Sequence, residues 1–137
     1  STLASSWIFD TGAAVDALAV DGGLIAYAER GGVVGTLTEA GAAVADNGAS
    51  DVYDGLALVE NVVIAARSDG AIAAYDDASF TEVWGDSSLA GPVGGLSVNS
   101  QTVFYGHGDV LEALNLSDGS ALWSLSTQGD PAAVLAF

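Results

Sequence analysis

Only three side chains in this chain can carry positive charge: Arg30, Arg67 and His107. Each stands at a turn, in "ERGG", "RSDG" and "GHGD". A guanidinium or imidazolium held at a turn can meet a carboxylate, either a ligand's or the chain's own. The acids are far more numerous. Asp46, Asp51 and Asp54 in "DNGASDVYDG" could wrap a calcium ion, but their spacing misses the twelve-residue EF-hand loop, and a solvated acidic loop is the simpler reading. Asp76 and Asp77 are neighbours on a strand end and point to opposite sides, a poor geometry for two carboxylates working across a sugar. His107 is the single histidine, which excludes a histidine metal cluster and makes any Ser/His/Asp triad depend on it alone. Flanked by glycines, it reads as a solvated loop residue. There is no cysteine, so thiolate ligands, thiol nucleophiles and disulfides are excluded in these residues. No catalytic residue and no metal ligand set is assigned, and no cofactor is expected.

The charge balance is extreme. Eighteen acidic residues against two arginines give a formal net charge of −16 in 137 residues. Half of the residues are nonetheless hydrophobic and the mean hydropathy is +0.44, so the chain can bury a core and is not of the disordered type. An acidic surface of this density implies a protein built for molar salt, as in an extreme halophile, where counterions screen the self-repulsion. With no basic patch, neither nucleic acid nor an anionic membrane is an expected partner. No run is long and apolar enough for a membrane helix. The opening Ser, with no signal-like segment before Asp10, reads as a processed or excised chain; a cell-surface or extracellular location is expected over a cytoplasmic one.

The elements that position these residues repeat. "ALAVDGGLIAYAERGG" from Ala17, "GLALVENVVIAARSDG" from Gly55 and "GLSVNSQTVFYGHGD" from Gly95 align, each passing from a short apolar run through a polar turn to a second run. A third run, an Asp/Gly or Asp/Ser turn and a run with a tryptophan follow. Trp7, Ala45 in a tryptophan position, Trp84 and Trp123 mark a period of 38 to 39 residues. In the degenerate first copy, "GTLTEAGAAVA", Gly35 aligns with the leading Ala of the later copies.

Runs of four to seven residues, rich in β-branched and aromatic side chains and bounded by turn residues, are strands. "VVIAA" (62–66) is apolar on both faces, so its sheet must be covered on both sides. Four-stranded units of about 40 residues stacked face to face describe β-propeller blades. With strands named a to d outward, residues 1–10 read as the outer strand of a preceding blade, 11–49, 50–89 and 90–127 as three blades, and 128–137, with "PAAVLAF", as the start of another. Closed propellers have roughly 4 to 8 blades, so about three and a half blades imply a longer propeller or chains that associate to complete a ring.

"ALNLSDGSALW" (113–123) resembles the tryptophan-docking motif of the pyrroloquinoline-quinone (PQQ) type propellers, A-x-D-x-x-T-G-x-x-x-W, at Ala113, Asn115, Gly119 and Trp123; "AYDDASFTEVW" (74–84) fits at Ala74, Asp76 and Trp84 but has Phe80 where glycine is expected. The resemblance implies that Trp7, Trp84 and Trp123 each stack across a blade interface on the Ala and turn backbone of the adjoining repeat, with Ala74, Ala113 and Gly119 as docking positions. Trp123→Ala would then cost roughly 3 to 5 kcal/mol if its ring is buried. The PQQ dehydrogenases use the quinone, a calcium and often a vicinal disulfide. Lacking cysteine and a calcium-plus-base set, this chain is expected to share the fold and serve as a non-catalytic scaffold for protein binding or assembly. The alternative is a fragment of a quinoprotein oxidoreductase whose PQQ and calcium site lies elsewhere. In such a propeller the b–c and d–a turns share one face. Arg30, Arg67 and His107 fall in b–c turns, while Asp10, Asp16, Asp46, Asp51, Asp54, Asp86 and Asp130 fall in d–a turns. That face is the expected binding surface for a carboxylate or a partner's acidic groups, unless the cations pair locally with those aspartates.

Overall fold

The structure, a computed structural model, describes residues 8–30, 33–48, 53–67, 69–86 and 93–126. Among them are twelve strands and no helix. The first sheet is β1 (Val15–Asp21), β2 (Leu24–Glu29), β3 (Val34–Thr38) and β4 (Ala43–Asp46); the second is β5 (Tyr53–Val59), β6 (Val62–Arg67), β7 (Ile72–Asp76) and β8 (Glu82–Asp86). The third is β9 (Val93–Val98), β10 (Thr102–His107), β11 (Val110–Asn115) and β12 (Ala121–Ser126). Each sheet is an antiparallel meander in chain order. Ile8, Phe9 and Asp10 lie outside any strand, and the Phe9 ring sits beside Tyr27 of β2, centroids 6.0 Å apart. Trp7, Asp51, Asp130 and 131–137 are outside the described residues.

Side-chain alternation explains why the middle sheet is apolar on both faces. Along β6, Val63 and Ala65 join one buried cluster with Ala26, Ala28 and Val34 of the first sheet. Ile64 and Ala66 join the other, with Val103, Tyr105 and Leu114 of the third. One strand thus feeds two cores, as period-2 geometry requires when a sheet is sandwiched. Each fully buried Val or Ile contributes roughly 1.5 to 3 kcal/mol. The cost of this stacking appears at the ends: Leu18 and Val20 on β1 and Trp123 and Leu125 on β12 are exposed.

The outer pair of each sheet carries a register shift at one equivalent place, after Thr36, Ala74 and Ala113. These three residues face Ala45, Trp84 and Trp123 across the pair. This corrects the alignment of the first copy, where Thr36 and not Gly35 stands in the leading Ala position. Its c–d turn is one residue shorter, closed by Thr38 N–H to the Ala42 carbonyl, whereas the others close from Asp76 to Thr81 and from Asn115 to Ser120. Gly35 instead makes room for a ring. A Cβ there would lie 2.6 Å from the Tyr27 hydroxyl oxygen, so its bareness admits the Tyr27 side chain.

Candidate binding face and blade seams

The three cationic side chains end, or directly follow, the second strand of their sheets, and each has a carboxylate of its own sheet. Arg30 donates to Asp16 from Nε at 3.2 Å and from its terminal nitrogen at 2.9 Å. This hydrogen bond and the Asp16 charge raise the guanidinium pKa further above its ordinary value. Arg67 pairs at 2.5 Å with Asp69, two residues on in the same turn. Beside it a cavity of about 220 Å³ is lined by Arg67, Tyr75, Glu82 and Asp86.

His107 departs from the loop reading. It is the last residue of β10, its side chain is 16% exposed, and its Nε2 lies 2.8 Å from Glu112 Oε2. Its ring stacks on Tyr105, centroids 5.5 Å apart. The buried Tyr105 hydroxyl donates to the same Glu112 oxygen at 2.9 Å. Register makes the cluster: Tyr105 faces Glu112 directly, and His107 is two residues on along the same face of β10. Glu112 escaped the sequence reading, and its one signal is an acid in the otherwise apolar run "VLEAL".

The acids mostly serve their own turns. Asp46 Oδ1 accepts the Gly48 N–H at 2.9 Å. Asp51 and the side chain of Asp54 lie outside the described residues, and among the described residues no three His, Asp or Glu side chains are placed to hold a metal. Asp76 accepts from Ala78 and Ser79 N–H at 2.9 and 3.0 Å, which lowers its pKa. Asp77 is buried, and desolvation first, with the Asp76 charge second, raises its pKa. The pair therefore does two unrelated jobs. Asn115 repeats the Asp76 cap at Ser117, and Asp118 caps Ser120.

The seams are more selective than the turns. Between the second and third sheets, Trp84 is buried and its indole N–H donates to the Leu116 carbonyl at 2.7 Å. Its ring lies over Gly119, where a Cβ would come within 2.6 Å of Trp84 Cδ2; Gly119 also has φ +75°, which favours glycine. Ala74, directly opposite Trp84 on β7, is fully buried. Between the first and second sheets, Ala45 leaves no ring, and the buried Phe80 stands at the place of Gly119 with φ +55°. Ala45 and Phe80 belong to one cluster. The Thr36 hydroxyl donates to the Asp77 carbonyl at 2.8 Å. Asp77 and Leu116 are equivalent, their N–H groups reaching back to the Asn61 and Gln101 carbonyls of the a–b turns. Ala113 is buried opposite Trp123, but Trp123 itself is 45% exposed, packed near Phe104 with no sheet beyond it among the described residues. The expectation of a large cost for Trp123→Ala is corrected accordingly, because the condition of burial is not met.

Tyrosines add a pH dependence. Desolvation first, then the Tyr53 and Glu82 environment, pushes the Tyr75 phenol up to about 12; burial likewise raises Tyr105, with its hydrogen bond to Glu112 second. A phenol raised in the fold stays protonated after the unfolded chain, with a pKa of about 10, has lost its proton. Its stabilisation is complete below pH about 10 and is lost as pH rises through about 12. Stability is therefore expected to hold to about pH 10 and fall beyond it, with Tyr75→Phe softening the fall. Tyrosinate absorbance rising in parallel with unfolding checks this; complete ionisation at pH about 10 with the fold intact would refute it.

No family model matches the sequence, and no curated protein matches it. Solved structures do. BamB from Moraxella catarrhalis superposes with a TM-score of 0.72 at 22% identity over 86% of this chain and 39% of its own. The computationally designed Ika4 protein gives 0.78 at 17% identity, over 88% of this chain and 78% of its own. The WD40 domain of Pan2 from Neurospora crassa gives 0.67 at 15% identity, over 82% and 40%. The chain thus spans about two fifths of BamB and of the Pan2 domain. At these identities the likeness concerns the fold: three stacked four-stranded sheets form part of a β-propeller.

Proposed function

We propose that this chain is a non-catalytic propeller scaffold of the PQQ-like repeat type, which binds or assembles with other protein through its blade ends in a high-salt setting. The observation that carries the reading is the outer face of the third sheet. There Trp123 and Leu125 are 45% and 57% exposed on a strand with no partner sheet among the described residues, and exposed apolar surface of this kind marks an interaction site. On the turn face, Arg30, Arg67 and His107 each engage a carboxylate of their own sheet. That supports a structural role for the three, with an acidic surface around them.

The test is mass measurement in molar salt over a range of concentrations. The reading predicts a mass above the 13.6 kDa of one chain that rises with concentration and falls back when Trp123 and Leu125 are replaced by serine. A monodisperse monomer, unaffected by the replacement, would count against it.

A further inference from the structure

We infer that the two seams are keyed against each other by an exchange of bulk between strand and turn, with the hydrogen-bond donor moved from the outer strand to the one beside it, so that the sheets can stack in one order only. At the second seam the outer strand supplies the ring (Trp84), the facing turn supplies bare backbone (Gly119), and the indole satisfies the Leu116 carbonyl. At the first seam the bulk is reversed, while the donor still comes from the preceding sheet. The outer strand is bare (Ala45) and the facing turn supplies the ring (Phe80). The equivalent carbonyl, of Asp77, is satisfied by Thr36, which replaces the Ala that lies opposite Trp84.

Two independent observations mark this as compensation and not decay of the repeat. Phe80 is held at φ +55°, a costly backbone region for a bulky residue, and its ring is buried in the cluster between the first and second sheets. The Asp77 carbonyl keeps a donor although the tryptophan that would supply it is gone, as a buried acceptor requires. Specificity follows from the clash. A Cβ at Gly119 would already sit 2.6 Å from the Trp84 ring, so a Trp-bearing strand cannot seat on a Phe-bearing turn. An Ala-bearing strand on a glycine turn would leave a cavity the size of a ring. Three repeats of one strand pattern that could slip by one blade are thereby held in sequence order.

The experiment converts the first seam into the second in the full chain, melted in molar salt. Phe80→Gly alone and Ala45→Trp alone are each expected to lower Tm by about 10 °C, the first by leaving a cavity and the second by overpacking. The triple variant Thr36→Ala, Ala45→Trp, Phe80→Gly is expected to return to within about 3 °C of the parent. A triple variant that loses the sum of the separate effects, or more, overturns the key. If the single variants do not fold at all, the triple alone decides: a cooperative transition supports the inference and its absence refutes it.

Discussion

Trp84→Ala is expected to destabilise the chain by about 4 kcal/mol, within the roughly 3 to 5 kcal/mol typical of removing a large buried aromatic. Two causes act together. The ring fills the space over Gly119 and belongs to the cluster joining the second and third sheets, so truncation leaves a cavity between them. The indole N–H is the donor to the Leu116 carbonyl, and a buried acceptor without its donor costs about 1 to 3 kcal/mol. Trp84→Phe separates them, keeping most of the apolar area and losing the donor, with an expected cost near about 2 kcal/mol. Trp123→Ala, although it carries the better copy of the motif, should cost under about 1 kcal/mol because its ring is half exposed. Equilibrium denaturation of the three variants gives the ranking; equal losses for Trp84→Ala and Trp123→Ala would contradict it.

The second large effect concerns salt. A formal charge of −16 on one small fold repels itself over a Debye length of about 8 Å at 0.15 M and only about 3 Å at 1 M. The two arginines are already counted in that charge, and each sits against an aspartate, Asp16 and Asp69. Unfolding spreads the charge out, so the folded state is the one that repulsion disfavours. Tm is expected to rise by more than about 10 °C between 0.1 and 2 M KCl, of which screening accounts for the early part and strengthened apolar burial for the rest. A flat Tm across that range would remove the high-salt reading.

The strands and their grouping were legible because the signals are local and redundant. Short β-branched runs bounded by Asp, Asn and Gly recur at 38 to 39 residues, and "VVIAA" could only be a strand covered on both sides. Two features were not legible for a physical reason: they depend on what faces a residue, not on its own type. His107 between glycines has every local mark of a loop, yet strand pairing two residues away brings Glu112 beneath it. Phe80 looks like a flaw in a glycine position and Ala45 like a lost tryptophan. Only the stacking of one sheet on the next shows that each excuses the other. The slip between Gly35 and Thr36 has the same origin, since a turn one residue shorter is invisible until its closing hydrogen bond is seen. Trp123, which the motif places in a seam, is 45% exposed, because what lies against a ring cannot be read from the strand that carries it.

The central claim is that the second and third sheets dock through the outer-strand Trp84 on the next repeat's turn. Hydrogen exchange of the Trp84 indole N–H, assigned by comparison with Trp84→Phe, tests it most directly. Its bond to the Leu116 carbonyl in a buried seam predicts protection approaching that of the β6 and β10 backbone amides, with exchange requiring the seam to open. Exchange of that proton at the rate of a free indole, while the strand amides stay protected, would show sheets that fold but do not dock this way.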